Sequence, residues 1–158
     1  MIELLVTMAV VILASVAVPN FSRFIDSSRQ RADIQQVVRS LVAARSEAIV
    51  RASPLILTAT AGDWTKGWRI WVDLNASDSY DDGENFKVAE AIKTSAIISA
   101  KLDGAAVTNI TFDNQGFIHG AKLVLISYRS QPEKCSHDRD LNITLSGQVA
   151  IVDRVCSP

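Results

Sequence analysis

Residues 2–21 read IELLVTMAVVILASVAVPNF, and the rest of the chain is arranged around this stretch. Its apolar run from Ile2 to Val18 carries a single charge, on Glu3. As a helix, about 17 residues with a rise of roughly 1.5 Å each cover about 25 Å, which is within reach of the ~30 Å hydrocarbon core of a bilayer. A secretory signal peptide would begin with basic residues, and this run does not. We therefore predict that residues 1–19 are the transmembrane part of an N-terminal helix.

Glu3 is the charged residue of this segment and has two interpretations. A carboxylate near the centre of a bilayer costs ~2.5–3.5 kcal/mol unless it is paired or lies near the interface. In the first interpretation Glu3 lies at the interface, where the dipole at the helix N-terminus stabilises it. In the second, Glu3 meets a positive partner when several such helices pack together.

The helix is predicted to continue well beyond the apolar run. Pro19 lacks a backbone donor and is expected to kink the helix without ending it. Between residues 34 and 52 apolar side chains recur near the 3.6-residue period, so that one side can pack on a globular body. Ser53-Pro54 should end the helix, because a residue that precedes proline avoids the α conformation. We predict that residues 20–53 form the amphipathic part of this helix.

The pattern changes after residue 54 to short runs of β-branched and aromatic residues separated by turn residues. Such runs predict strands that pair mostly antiparallel. Residues 54–158 are therefore expected to form an antiparallel β-sheet domain, and the whole chain an α+β fold with a long helix packed on sheet. The predicted strands are 55–60, 67–74, 85–91, 96–101, 107–112, 122–128, 141–145 and 148–153.

The N-terminal stretch resembles the signature of type IV pilins and pseudopilins, through IELLV at 2–6 and VPNF at 18–21. In that family a prepilin peptidase removes a short basic leader that ends in Gly, and the new N-terminal Phe is methylated. A glutamate four residues on then pairs with the terminal amine of a neighbouring subunit. The resemblance implies that Glu3 is this inter-subunit assembly residue. It also implies three partners, namely other major and minor pilins, the inner membrane and the pilus assembly machinery.

The beginning of the sequence departs from that pattern. Met1 stands where the family has its third mature residue, and the leader, its Gly and the Phe are missing. We expect a miscalled start codon or a truncation, with prepilin peptidase a further partner if the leader exists. Three basic residues follow the apolar run, namely Arg23, Arg29 and Arg31. By the positive-inside rule they alone would place the C-terminal domain in the cytoplasm. A basic leader upstream would reverse this orientation and place the body in the periplasm.

Three further segments resemble the GspH/FimT group, which comprises minor pilins of type IV pili and the minor pseudopilin of type II secretion. They are GWRIWVDLN at 67–75, DDGE at 81–84 and ITFDNQG at 110–116. The resemblance implies a pilin-like fold and a minor subunit that primes filament assembly at or near the tip. The pilus would then support adhesion, twitching motility and DNA uptake. The cysteine-bearing tail resembles the pilus members, including FimU, more than the secretion pseudopilin.

The two cysteines, Cys135 and Cys156, both lie in the last quarter of the chain and outside C-x-x-C spacing. In the periplasm we expect them to form one disulfide. It would close a loop of about 20 residues and contribute roughly 3 kcal/mol in the chain-entropy model. The alternative is a pair of buried free thiols.

An acidic segment between two predicted strands has part of the spacing of a calcium-binding loop. Six of its residues fall at positions 1, 3, 5, 7, 9 and 12 of an EF-hand register. The sixth position needs Gly but is Asp78, and the flanks read as strands instead of helices. A solvated hairpin or a contact surface is therefore favoured over a calcium site. The candidate side-chain ligands are Asp73, Asn75, Ser77, Asp81 and Glu84, and Ser79 stands at the seventh position, which contributes through its backbone.

Direct DNA binding and catalysis are disfavoured by the sequence. A net charge of −1 gives no global attraction to nucleic acid. DNA-binding members of the FimT branch carry a basic Gly-Arg-x-Arg motif, whereas the comparable turn at 147–150 reads GQVA. His119 and His137 are the only histidines, and neither lies in a known catalytic motif. We predict neither enzymatic activity nor a cofactor.

Overall fold

The computed structural model describes residues 2–74, 77 and 79–156, with side chains in the first half of the long helix described at residues 3, 6–8 and from 24 onward. A single helix, α1, spans Ile2–Arg51, and its end agrees with the prediction. Pro19 is among the residues whose side chains are not described, and the kink predicted there stays a prediction. Over the described part of the chain, no helix offers a stretch both apolar and long enough to cross a bilayer.

Helix α1 ends in a Schellman-type turn. The amide of Ala52 donates to the carbonyl of Ile49 and that of Ser53 to the carbonyl of Ala48, at 3.2 and 3.1 Å. Ala52 adopts the left-handed conformation that such a turn requires, with φ of 49°. Pro54 follows directly, so the chain leaves the helix where the sequence predicted.

Among the residues that the structure describes, nine strands follow α1 and form two antiparallel sheets. All eight predicted strands are present, and the short β5 was not predicted. The first sheet has the order β3-β2-β1-β6, and the second has the order β5-β4-β7-β8-β9. The strands are β1 Leu55–Ala59, β2 Trp68–Trp71, β3 Asn85–Ala89, β4 Ile97–Leu102, β5 Ala105–Ala106, β6 Asn109–Phe112, β7 Val124–Arg129, β8 Arg139–Ile143 and β9 Val149–Asp153.

The hydrophobic core lies where both sheets meet the second half of α1. One stripe of the helix is buried there at roughly 3.6-residue spacing, which accounts for the predicted amphipathic pattern. Each fully buried Leu, Ile or Phe contributes on the order of 1.5–3 kcal/mol. The stripe consists of Ile34, Val37, Leu41, Ala44 and Ala48, and it packs with Leu55, Leu57, Trp68, Ile70, Ile110, Phe112, Ile126, Leu141 and Ile143 of the strands.

The two tryptophans of β2 lie on opposite faces of the first sheet. Trp68 belongs to the core. Trp71 is also buried. The register between β2 and β3 shifts between Ile70 and Trp71. The indole of Trp71 donates a hydrogen bond to the hydroxyl of Thr58 at 2.9 Å. The ring of Tyr80 covers it edge-on, with centroids 6.0 Å apart. Both residues therefore have packing roles, one on each face of the sheet.

Candidate functional site

The first half of α1 exposes apolar side chains. Met8 is 61% and Phe24 66% exposed, and Val6 is exposed as well. Glu3 is exposed on the same helix and forms no ion pair with a described residue. An isolated helix end of this kind gains stability when a bilayer or neighbouring helices cover it. The assembly role of Glu3 stays a prediction.

The acidic loop between β2 and β3 is closed from within by Glu84. This carboxylate is buried and accepts hydrogen bonds from the amides of Leu74 and Asp81, at 2.8 and 2.9 Å. Asp73 accepts from the amide of Ser77 at 3.0 Å, and Asn75 lies outside the described residues. No group of three acidic, His or Cys side chains within the described chain is arranged to hold a metal ion. The described contacts are those of a hairpin loop that supports itself.

The acidic loop also folds back onto the outer face of the first sheet. The guanidinium of Arg69 lies 3.8 Å from the centroid of the Tyr80 ring. Because Tyr80 also covers Trp71, this cation–π contact anchors the loop at its tip. The loop is therefore attached to the sheet at both its base and its tip.

Asp33 of α1 is buried and holds the loop that precedes β4. Its carboxylate accepts from the amides of Lys93 and Thr94, at 3.1 and 3.2 Å, and from the hydroxyl of Thr94 at 2.7 Å. That hydroxyl also lies 2.7 Å from the hydroxyl of Tyr128. Because Thr94 has one hydroxyl proton and gives it to Asp33, Tyr128 is the donor in the second bond. The network links helix, loop and β7.

Tyr128 keeps its proton under ordinary conditions. Burial raises the pKa of its hydroxyl above the ordinary value of 10.0, and the nearby carboxylates of Asp33 and Asp138 raise the pKa further. A neutral hydroxyl is the state that can donate to Thr94. The pKa shift and the hydrogen-bond geometry therefore agree.

Asp138 is a second buried carboxylate, and it organises the loop that follows β7. It accepts from the amide and hydroxyl of Ser130, at 2.8 and 3.0 Å, and from Arg154 at 2.7 Å. The hydroxyl of Ser130 in turn accepts from the amide of Lys134 at 2.9 Å. Burial acts to raise the pKa of Asp138, but the hydrogen bonds from Ser130 and Arg154 outweigh it, and the pKa lies below 3.8.

The disulfide predicted between Cys135 and Cys156 is present. Their Cα atoms lie 5.8 Å apart, and the two cysteines are 21 residues apart in the chain. Asp138 and Arg154 lie inside the loop that this bond closes. The end of β9 is therefore attached to the segment between β7 and β8 by one covalent bond and one ion pair.

A polar cleft of about 240 Å³ opens between the loops that Asp33 and Asp138 hold. Its remaining wall is the segment of α1 that precedes Asp33. The residues that line it are Asp26, Arg29, Gln30, Lys93, Thr94, Ser95, Ser130, Gln131, Pro132 and Lys134.

Residues 33–148, well over half of the chain, match the family described as type II transport protein GspH. The chain belongs to the GspH family. No curated protein sequence matches this family member. Its fold is similar to that of the type IV minor pilin FimU of Pseudomonas aeruginosa, with a TM-score of 0.69 and 21% identity over 82% of this chain and 92% of FimU. It is also similar to the minor pseudopilin EpsH of the Vibrio cholerae type 2 secretion system, with a TM-score of 0.59 and 12% identity over 79% of this chain and 97% of EpsH.

In this GspH family member the turn at 147–150, compared above with the basic motif of the FimT branch, is packed against α1. A Cβ added to Gly147 would lie 2.2 Å from the carbonyl oxygen of Gly116 and 3.0 Å from Arg45. The guanidinium of Arg45 also donates to that carbonyl, at 3.2 Å. The turn thus has a structural role in docking the sheet on the helix.

Sequence reasoning missed the two buried aspartates. As a charged residue Asp33 is expected on the polar face of α1, but it precedes Ile34 and lies one helical turn before Val37, both of which are buried. Its position at the edge of the apolar stripe was the available signal. Asp138 had no comparable signal, because its burial depends on Ser130 and Arg154 in other segments.

Proposed function

We propose that this GspH family member is a minor pilin of a type IV pilus. In this proposal α1 anchors the subunit in the inner membrane with its sheet domain in the periplasm, and the subunit later enters the extracellular filament. There it takes part in priming assembly and in the tip complex. The assembled pilus supports twitching motility, adhesion and DNA uptake. The role is structural, without catalysis or a cofactor.

The similarity to FimU carries this proposal. FimU is a minor pilin, and its TM-score and identity with this chain exceed those of the pseudopilin EpsH. The disulfide at the end of the chain is consistent with the cysteine-bearing tail by which the sequence resembles pilus members.

The mechanism of assembly rests on three parts of the chain. The apolar first half of α1 is first covered by lipid and then by the helices of neighbouring pilins. Glu3 supplies a carboxylate that is stabilised when a neighbour's terminal amine approaches it in a medium of low dielectric constant. The sheet domain presents loops, such as the acidic hairpin, that distinguish one partner subunit from another.

A pseudopilin of a type II secretion system is the second candidate. It is supported by the description of the family and by the fold shared with EpsH. A FimT-like DNA-binding pilin has weaker support. Of the basic residues near the last turn, Arg139 is paired with Asp153 and Arg154 with both Glu133 and Asp138. These pairs leave little positive charge for a DNA backbone there.

Deletion of the gene tests the proposal. Surface pili are counted and the amount of secreted protein is measured, both in the deletion strain and in a strain complemented with the gene and its upstream codons. Lost or shortened pili with normal secretion support the minor pilin. Normal pili with a secretion defect would assign the chain to the secretion machine. A salt-dependent shift in the electrophoretic mobility of DNA on addition of the purified chain would instead support the FimT-like DNA-binding pilin.

A further inference from the structure

A second groove, the basic groove, lies between α1 and β3 and has a volume of about 360 Å³. One of its walls is a flank of α1, and the other is β3 together with the segment that follows it. The residues that line it are Gln36, Arg39 and Ser40 of α1, and Lys87, Val88, Ala89, Glu90, Ala91 and Lys93.

Strand β3 is an edge of the first sheet, because it lies at one end of the order β3-β2-β1-β6. An edge strand presents a row of backbone N–H and C=O groups that its single neighbour does not pair. Helix α1 runs beside this edge. The amide of Gln36 donates to the carbonyl of Glu90 at 2.9 Å, and the guanidinium carbon of Arg51 lies 5.5 Å from the centroid of the Phe86 ring. These two contacts hold the shape of the basic groove before any partner binds, which lowers the cost of ordering a site.

The basic groove has an excess of positive charge. Arg39, Lys87 and Lys93 line it against one acidic side chain, Glu90. All four side chains are exposed. Among the described residues none of them forms an ion pair. Charge complementarity therefore favours an anionic partner.

The register of β3 shows where the side chains of a partner strand would lie. Lys87 is opposite Ile70, which belongs to the core, whereas Val88 is opposite Arg69. Because side chains alternate between the two faces of a strand, Lys87 lies on the side of α1 and Val88 on the outer face. Val88 is 54% exposed there. A strand added to β3 would place every second side chain beside Lys87 and Arg39, and the others beside Val88.

We propose that the basic groove binds an extended acidic segment of a partner protein, which pairs with β3 as an additional strand. In this segment acidic residues alternate with apolar ones. The acidic side chains contact Lys87 and Arg39, and the apolar ones cover Val88. Backbone hydrogen bonds to β3 supply affinity, and the alternating side chains supply specificity.

The length of β3 defines the size of this segment. The strand has five residues, so the partner contributes about five residues, of which two or three face α1. The inference goes beyond the proposed function, because the basic groove belongs to the sheet domain and the second half of α1. It applies equally to a minor pilin and to a pseudopilin.

The same features disfavour other occupants of the basic groove. A basic strand would bring like charges next to Lys87 and Arg39, and such pairs destabilise a sheet. A lysine on an edge strand also protects it from association with apolar strands. A DNA duplex would contact the cations through its phosphates and leave the backbone of β3 unpaired. An acidic strand satisfies both the charge and the backbone.

The test uses the full chain in micelles of a non-ionic detergent, with synthetic peptides as probes. In the test peptide of ten residues, glutamate alternates with valine. One control peptide has the same residues in two blocks, five glutamates before five valines, and a second control has lysine in place of glutamate. Fluorescence anisotropy of the labelled peptides measures affinity, and amide hydrogen exchange measures the protection of β3.

Three variants of the chain are compared. The charge variant is Arg39→Gln with Lys87→Gln, and the reversal variant is Arg39→Glu with Lys87→Glu. The matched control is Lys101→Gln with Lys122→Gln, which removes two positive charges from surfaces outside the basic groove. All the replaced groove side chains are exposed, so these variants should fold, and their melting temperatures check this.

The alternating peptide should bind saturably and slow hydrogen exchange in β3 but not in β6, the opposite edge of the same sheet. The charge variant should lose about tenfold in affinity, from two surface charge pairs, and the matched control should bind like the unmodified chain. The reversal variant should prefer the lysine peptide. Equal affinity for the block peptide, or binding without slower exchange in β3, would show attraction of charge alone and overturn the proposal.

Three further results would also reject the acidic partner strand. Duplex DNA that binds more tightly than the peptide and through the same cations would show a nucleic-acid site. Self-association of the full chain that the charge variant abolishes would assign the basic groove to a second copy. Absence of peptide binding would reject the inference alone, because the minor pilin proposal is tested separately by the pili of the deletion strain.

Discussion

The Nη1 atom of Arg154 lies 2.7 Å from the Oδ2 atom of Asp138, inside the loop that the Cys135–Cys156 disulfide closes. The carboxylate of Asp138 is fully buried, and Arg154 also reaches Glu133 at the surface. The ion pair and the disulfide therefore attach the same segment, the end of β9, to the same loop. Their separate contributions can be measured by removing them one at a time.

Removal of the buried carboxylate should destabilise the domain. Asp138→Ala leaves the amide and hydroxyl of Ser130 without their acceptor, and we expect a loss of about 2–3 kcal/mol of unfolding free energy. Chemical denaturation of the chain in detergent measures this loss. Asp153→Ala is the control, because Asp153 pairs with Arg139 but its side chain is 82% exposed, so its loss should cost under about 1 kcal/mol. Equal losses in the two variants would contradict the role of Asp138.

The stability should depend on pH through Asp138. Because its folded-state pKa lies below 3.8, the unfolded chain binds this proton more readily than the folded chain. The stabilisation is therefore fully present above the unfolded pKa and is lost as the pH falls through the folded pKa. We expect the contribution of Asp138 to the denaturation midpoint to be constant from about pH 7 to 5 and to decrease below about pH 4. The acid-induced decrease should be smaller in Asp138→Ala, and identical pH profiles would reject the assignment.

Loss of the disulfide should lower stability and loosen β9. Cys135→Ser with Cys156→Ser is expected to cost roughly 3 kcal/mol in the chain-entropy model. Hydrogen exchange should become faster in β9 and remain unchanged in β1. Reduction of the unmodified chain serves as the control and should reproduce the loss. An unchanged melting temperature would count against a structural role for the bond.

Most of the secondary structure could be predicted because it follows from local periodicity. The helix shows its 3.6-residue stripe from Ile34 to Ala48, and eight strands show β-branched runs between turn residues. Strand β5 was missed because Ala105–Ala106 is only two residues long and made of alanine, which carries no strand signal. The register shift after Ile70 likewise depends on pairing with β3 and has no local mark.

The polar cleft could not be predicted because it is assembled from distant segments. Asp33 bonds to residues 60 and 61 positions later, and these partners are decided by packing of the loop against α1. The disulfide was predictable, since two cysteines allow a single pairing. A cleft that needs three segments to meet has no comparable signature in one sequence.

The close contact between the turns at Gly147 and Gly116 predicts that alanine at Gly147 destabilises the chain more than alanine at Gly104 does. Gly147 and Gly104 both have positive φ, but a Cβ meets the carbonyl oxygen of Gly116 at the first and open space at the second. Gly104→Ala should cost only the conformational penalty of about 1–2 kcal/mol, and Gly147→Ala a further 1–3 kcal/mol from overpacking. Denaturation midpoints measure both. Equal costs would show that the turn can shift away from Gly116 freely.

The charge of Glu3 should matter for assembly and not for insertion. Glu3→Gln keeps the size of the side chain and removes the charge that a neighbour's terminal amine would pair with, so we expect membrane fractionation to stay normal and pili to become fewer. Glu3→Asp retains the charge and should restore much of the assembly, while Glu3→Ala should match Glu3→Gln. Pili are counted by electron microscopy in a strain that carries each variant on the chromosome. Normal numbers in Glu3→Gln would show that pairing between subunits does not depend on this carboxylate, and a loss of insertion would favour the interfacial interpretation of Glu3.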